Sequence, residues 1–163
     1  MEDEPVIQSA PANESEPRQG WESKYTALVC VDDPKLLNKV LSELDGVKFA
    51  APFSVDDAIS RLKSGKYDLI VLSETFRSAS RHENRVLQEI NRLNEDRRME
   101  EFVVLIGPAL PTGDVLTAFA CSADAVLNSK DLGKIGEMFH QGRARKEAAY
   151  SRFMEIGRST MAR

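Results

Sequence analysis

The residues best equipped for chemistry stand at the ends of two apolar runs. Leu28-Val-Cys-Val-Asp-Asp-Pro34 closes on Asp32 and Asp33, and Tyr67-Asp-Leu-Ile-Val-Leu-Ser73 closes on Ser73. Paired carboxylates hold a divalent cation or move a proton, whereas a serine hydroxyl is a useful nucleophile only beside a base. Glu74 is a third carboxylate, one residue beyond Ser73, although in an extended strand its side chain points away from the Ser73 face. His82 and His140 are the only imidazoles, and neither has a clustered ligand in sequence. Ser73 lacks the Gly-x-Ser-x-Gly elbow of a hydrolase. Gly107 and Gly113 belong to no Gly-x-Gly-x-x-Gly fingerprint or phosphate loop. Cys30 and Cys121 lack metal-ligand spacing and read as free, buried thiols in a reducing compartment.

Structural roles compete for the same residues. Asp33 before Pro34 is a ready helix start, a capping carboxylate with proline at the first helical position. Ser73 reads equally as a strand-end hydroxyl satisfied by backbone.

These residues need a scaffold, and the chain describes one by alternation. A strand at about Thr26–Val31 leads into a helix with Leu36, Leu37, Val40, Leu41 and Leu44 on one face, ended by Gly46. A short strand, Val47–Ala51, precedes a helix opened by Ser54 with Asp57 as a capping box and stopped by Gly65. The third strand, Leu69–Leu72, is followed by a polar loop over Arg77–Asn84 and one helix bearing Val86, Leu87, Ile90 and Leu93. Strand four spans Phe102–Ile106 and breaks at Gly107-Pro-Ala-Leu-Pro111. Thr112 then caps a short helix through Val115, Leu116 and Phe119, strand five is Ala125–Leu127, and a last helix starts near Leu132. Five strands alternating with five helices predict an α/β, doubly wound, flavodoxin-like parallel sheet of order 2-1-3-4-5, with helices on both faces. Its crevice lies at the carboxyl ends of strands one and three, where Asp32, Asp33 and Ser73 converge.

The Val-Asp-Asp and Tyr-Asp-Leu-Ile-Val-Leu runs, within about Lys24 to Gln141, resemble the response-regulator receiver domains of two-component signal transduction. The resemblance implies that paired acids and an acceptor aspartate after strand three hold Mg²⁺, steadied by a hydroxyl after strand four and a lysine after strand five. Asp32 and Asp33 match the acids. The acceptor position is Ser73, the hydroxyl position is Gly107, and the lysine position is Ser129, with Lys130 one residue late. Serine adds no charge to Mg²⁺, and the transfer needs an anionic nucleophile bridged by metal. The expectation is a degenerate, phosphorylation-independent pseudo-receiver: no catalytic residue, no phosphoacceptor and no cofactor, with Asp32 and Asp33 as weak Mg²⁺ ligands. Lys130 paired with Asp32 or Asp33 would replace the metal by an internal ion pair. The alternative is an atypical Mg²⁺-dependent phosphoacceptor using Asp32, Asp33 or Glu74.

Composition sets the remaining bounds. At 163 residues the chain holds one domain plus tails, and its net charge of −4 gives no electrostatic case for nucleic acid. No apolar run approaches the ~20 residues that span a bilayer, and no signal-peptide core is seen, so a cytoplasmic protein without membrane contact is expected. Residues 1–23 are acidic and proline-interrupted and read as a disordered tail. The receiver-like domain is assigned to 24–141 and a C-terminal helical extension to 142–163. In that last helix Leu132, Ile135, Phe139, Gly142, Lys146, Ala149, Phe153 and Ile156 follow three- and four-residue spacings, with the apolar seam fading at Gly142 and Lys146. Residues 141–163 carry six basic against two acidic side chains, net +4. A helix that long needs its apolar side covered, so Tyr150, Phe153 and Ile156 are expected to meet a protein partner or a second copy. By resemblance, a second docking face is the surface of strand four, the helix after it and strand five.

Overall fold

The structure, a computed structural model, describes residues 24–161; the acidic tail assigned to 1–23 lies outside the described residues. Its elements are β1 Thr26–Cys30, α1 Pro34–Glu43, β2 Lys48–Ala50, α2 Val55–Ser64 and β3 Leu69–Ser73. They continue as α3 Arg85–Asn91, α4 Glu95–Glu100, β4 Phe102–Gly107, α5 Val115–Ala120, β5 Ala125–Asn128 and α6 Ile135–Met161. Single 3₁₀ turns precede α3 (Arg81–Glu83) and α6 (Leu132–Lys134). The strands pair in parallel, in the order β2-β1-β3-β4-β5, as the alternation predicts.

Both faces of the sheet are covered, which is why β3 and β4 are apolar without alternation. Val29, Val71, Val104 and Leu127 pack with Val40 and Leu44 of α1 and with Ile135 and Phe139 of α6. Cys30, Ile70, Leu72 and Leu105 face the opposite layer, where Leu62 of α2, Ile90 of α3 and Ala118 of α5 close over them.

Three local expectations differ. The single helix after β3 is two, because Asn94 accepts from the Arg97 amide at 2.9 Å and restarts the chain as α4. Six α-helices therefore occur among the described residues. Asp114, not Thr112, caps α5, accepting from the Thr117 amide at 3.0 Å. At α2 only half the capping box forms: Ser54 accepts from the Asp57 amide, while the Asp57 carboxylate turns to Arg61.

The largest correction concerns α6. Gly142 and Lys146, where the apolar seam fades in sequence, are where the helix grips the sheet. A Cβ at Gly142 would overlap the ring of Phe102, so glycine there allows close approach. Lys146 Nζ donates to the Arg98 carbonyl, to the Glu101 carbonyl at 2.7 Å and to Asp124 Oδ1 at 3.0 Å. Arg143 pairs with Asp68 at 3.0 Å and lies over the Tyr25 ring. Each aspartate is shared. Asp68 Oδ2 accepts from the Thr26 amide at the start of β1, and Asp124 Oδ2 from the Val103 amide in β4. Burial lowers the Lys146 pKa, with Arg98 adding to it, against the opposing pull of Asp124. Burial also works against the Arg143 charge, but Asp68 and Glu147 outweigh it and hold its pKa above the ordinary value. The helix thus runs unbroken across the boundary drawn at 141/142, and residues 142–146 are part of the packed body.

Candidate functional site

The carboxyl ends of the strands meet at one edge, where register sets Ser73 of β3 beside Ile106 of β4, and Gly107 beside Asn128 of β5. Asp32 and Asp33 follow β1, and Ser129 and Lys130 follow β5. The sequence-predicted residues are therefore brought to one edge.

Asp33 is a helix cap, its Oδ1 accepting from the Lys35 amide at 3.1 Å with Pro34 opening the helix. Asp32 crosses to the loop after β3, where its Oδ2 accepts from the Arg77 amide at 2.9 Å. Arg77 has φ +49°, a left-handed conformation that a non-glycine residue holds only when its surroundings fix it, and the Asp32 carboxylate helps do so. Ser73 is 7% exposed, and its carbonyl accepts from Asn84 Nδ2 at 3.0 Å.

Strand alternation does not decide Glu74, because β3 ends at Ser73. The Glu74 amide bonds the Ile106 carbonyl at 2.9 Å, and its side chain lies across Gly107. A Cβ on Gly107 would stand 2.6 Å from Glu74 Cδ, so the missing side chain of Gly107 is the space that Glu74 occupies. The ion pair expected of Lys130 is not made. Its amide donates to Asn128 Oδ1, and its side chain is exposed and outside every ion pair among the described residues. Lys130 is exposed, while Asn128 at the end of β5 is half-buried.

The residues present do not fit a Mg²⁺ site of the receiver kind. Among the described residues no group of three or more His, Cys, Asp or Glu side chains is placed to hold a metal. Asp32 already has a backbone donor, Asp33 serves its helix, and Glu74 sits over β4.

Two asparagines that sequence reading missed organise the edge instead. Asn84, fully buried, donates to the Ser73 and Glu74 carbonyls and accepts from the Leu87 amide, fastening α3 to the end of β3. Asn128 donates to the Pro108 and Leu110 carbonyls, while its amide donates to Thr112 Oγ1. Thr112 in turn donates to Asp131 at 2.6 Å. The loop after β4 is thereby tied to the end of β5. The available signal for Asn84 was an asparagine ahead of a periodic apolar stretch, a cap position. Below the edge, burial pushes the Cys30 thiol far up, Asp57 adding to it; Cys30 and Cys121 are both free and buried.

Solved structures resemble this chain in its fold. A receiver domain of a LuxO repressor protein from Vibrio parahaemolyticus matches with TM-score 0.58 and 17% identity, over 77% of this chain and 94% of that one. The fold here is that of a response-regulator receiver domain. The beryllofluoride-activated DrrB receiver domain matches with TM-score 0.52 and 20% identity, over 72% of this chain and 97% of its own. A fusion carrying a segment of the yeast Spc42 trimeric coiled coil matches with TM-score 0.62 and 14% identity, over 87% and 95%. No family model matches the sequence, and no curated protein does. Among the described residues, no helix of this receiver fold is long and apolar enough to cross a membrane.

Two apolar surfaces lie away from the edge. Val115, Leu116 and Phe119 of α5 are exposed, Phe119 at 83%, beside a groove of about 480 Å³ between α5 and α6. On α6, Phe153 and Ile156 are 69% and 66% exposed, while Tyr150 is half-buried in a cleft of about 730 Å³ with Lys24 and Lys146.

Proposed function

We propose that this receiver-fold protein is a non-catalytic signalling adaptor that works by protein contact and accepts no phosphate. One observation carries the reading. Asp33 serves as a helix cap and Asp32 accepts from the Arg77 amide, while Glu74 lies across Gly107. Ser73 supplies no anionic nucleophile, and transfer to a carboxylate here would need one with a metal bridge. The exposed α5 residues Val115, Leu116 and Phe119 and the α6 residues Tyr150, Phe153 and Ile156 are its contact surfaces, in a cytoplasmic setting. The similarity to a coiled-coil fusion favours self-association through α6 as the second reading of that surface.

The test is incubation with acetyl phosphate and Mg²⁺, and separately with beryllofluoride and Mg²⁺, followed by intact mass and melting temperature. Unchanged mass and melting temperature are expected. A Mg²⁺-dependent mass increase, lost on substituting Asp32, Asp33 or Glu74, would instead make the chain an atypical phosphoacceptor.

A further inference from the structure

The apolar seam of α6 runs on past the sheet that covers its upper part. Phe139, Gly142 and Lys146 are seated on the sheet, while Ala149, Phe153, Ile156 and Thr160 keep the same three-and-four spacing and are exposed. Residues so spaced form one stripe, and each can enter the gap between side chains of a facing helix. At 1.5 Å per residue the bare stretch from Ala149 to Thr160 is about 18 Å long, and a helical extension of that size is stabilised by being covered.

Size, space and charge say what can cover it. By size the stripe reads alike in both directions: Ala149 and Thr160 are small and stand at its ends, while Phe153 and Ile156 are large and stand at its middle. A second copy running antiparallel therefore sets Phe153 against Ile156 of the second copy, Ala149 against Thr160 of the second copy, and the reverse of each. Sliding this register toward the domain is blocked, because the seam at Gly142 and Lys146 is filled by Phe102, Asp124 and the Glu101 carbonyl. A parallel copy would bring its own domain to the same level on the facing side, where this sheet already stands. On the flank of the stripe, Arg152 is outside every ion pair among the described residues. In the antiparallel register it falls beside Ser159 of the second copy and about 7.5 Å along the axis from the like arginine. Arg145 lies beyond the overlap.

We propose that α6 pairs antiparallel with α6 of a second copy, about a two-fold axis at the level of Met154 and Glu155, with the two domains at opposite ends. The same patch then serves both chains, as a two-fold contact requires. The inference rests on the self-association reading of this surface and adds its direction and register. So short an overlap falls below the about 1,200 Å² at which lasting complexes begin, and the dimer is half formed only at roughly 100 μM. An outside partner that takes the seam competes with the second copy.

Sedimentation equilibrium of the full-length chain is expected to show the average mass rising from one chain toward two between about 10 μM and about 500 μM. Phe153→Asp with Ile156→Asp, both exposed positions, is expected to remove the rise and leave the melting temperature at low concentration unchanged. Direction is read by cysteine pairing, for which the buried Cys30 and Cys121 are silent. Under mild oxidation, a mixture of the Ala149→Cys and Thr160→Cys proteins is expected to form the mixed disulfide several-fold faster than either variant alone pairs with itself. A mass of one chain at every concentration overturns the self-association reading and the proposal with it. A rise that survives both aspartates overturns the proposal by moving the contact to another face. A rise that the aspartates remove, with each cysteine variant pairing fastest with itself, keeps the self-association reading and overturns the antiparallel arrangement.

Discussion

Glu74 and Gly107 form a pair in which one residue exists in the space the other leaves. A Cβ at 107 meets the Glu74 carboxylate, so Gly107→Ser, which restores a hydroxyl at that family position, must drive Glu74 out. A cost of about 1 kcal/mol is expected in denaturant unfolding. With Glu74→Ala in place the same substitution is expected to be neutral or stabilising, because glycine within a strand is itself unfavourable. Equal costs in both backgrounds would show that the two residues are uncoupled. At this scale the sequence was readable where contacts are local. Asp33 and Pro34 announce a cap because donor and acceptor lie two residues apart. The partner of Asp32 is 45 residues away, and no spacing rule reaches it.

Among elements, α6 shows what periodicity conveys and what it hides. Its length and apolar seam were visible, but Gly142 and Lys146 looked like gaps because their partners, Phe102 and the carbonyls of Arg98 and Glu101, come from another part of the chain. Leu93 misled in the opposite way, keeping the period of α3 although that helix ends at Asn91 and Asn94 opens α4. Lys146→Met leaves Asp124 Oδ1 and two carbonyls without this donor, and a loss of about 1–3 kcal/mol is expected. The pH dependence follows from the lowered Lys146 pKa. In the interval below its ordinary 10.5, the unfolded chain holds this proton and the folded chain releases it. Stability from this group therefore rises with pH through that interval, and the advantage of the unaltered protein over Lys146→Met should widen as pH approaches 10.5. Urea midpoints of both proteins across alkaline pH measure it; a constant difference would contradict the assignment.

For the molecule as a whole, order and pairing of the strands were legible because two-sided burial writes itself into composition: β3 and β4 are buried at every position and apolar but for Ser73 and Gly107 at their ends. Both cysteines sit inside this sandwich, Cys30 with its thiolate further disfavoured by burial. Alkylating reagents at neutral pH are expected to modify neither thiol in the native protein and both in denaturant, as read by mass. Rapid native labelling of Cys30 would mean that the layer over β1 opens readily. The lower edge carries a further consequence. Asp68 and Asp124 each offer one oxygen to a strand amide and the other to a cation on α6. All five strands precede Arg143 and Lys146 in the chain, so a sheet paired before α6 docks holds two aspartates each with one oxygen still unmatched by its α6 cation.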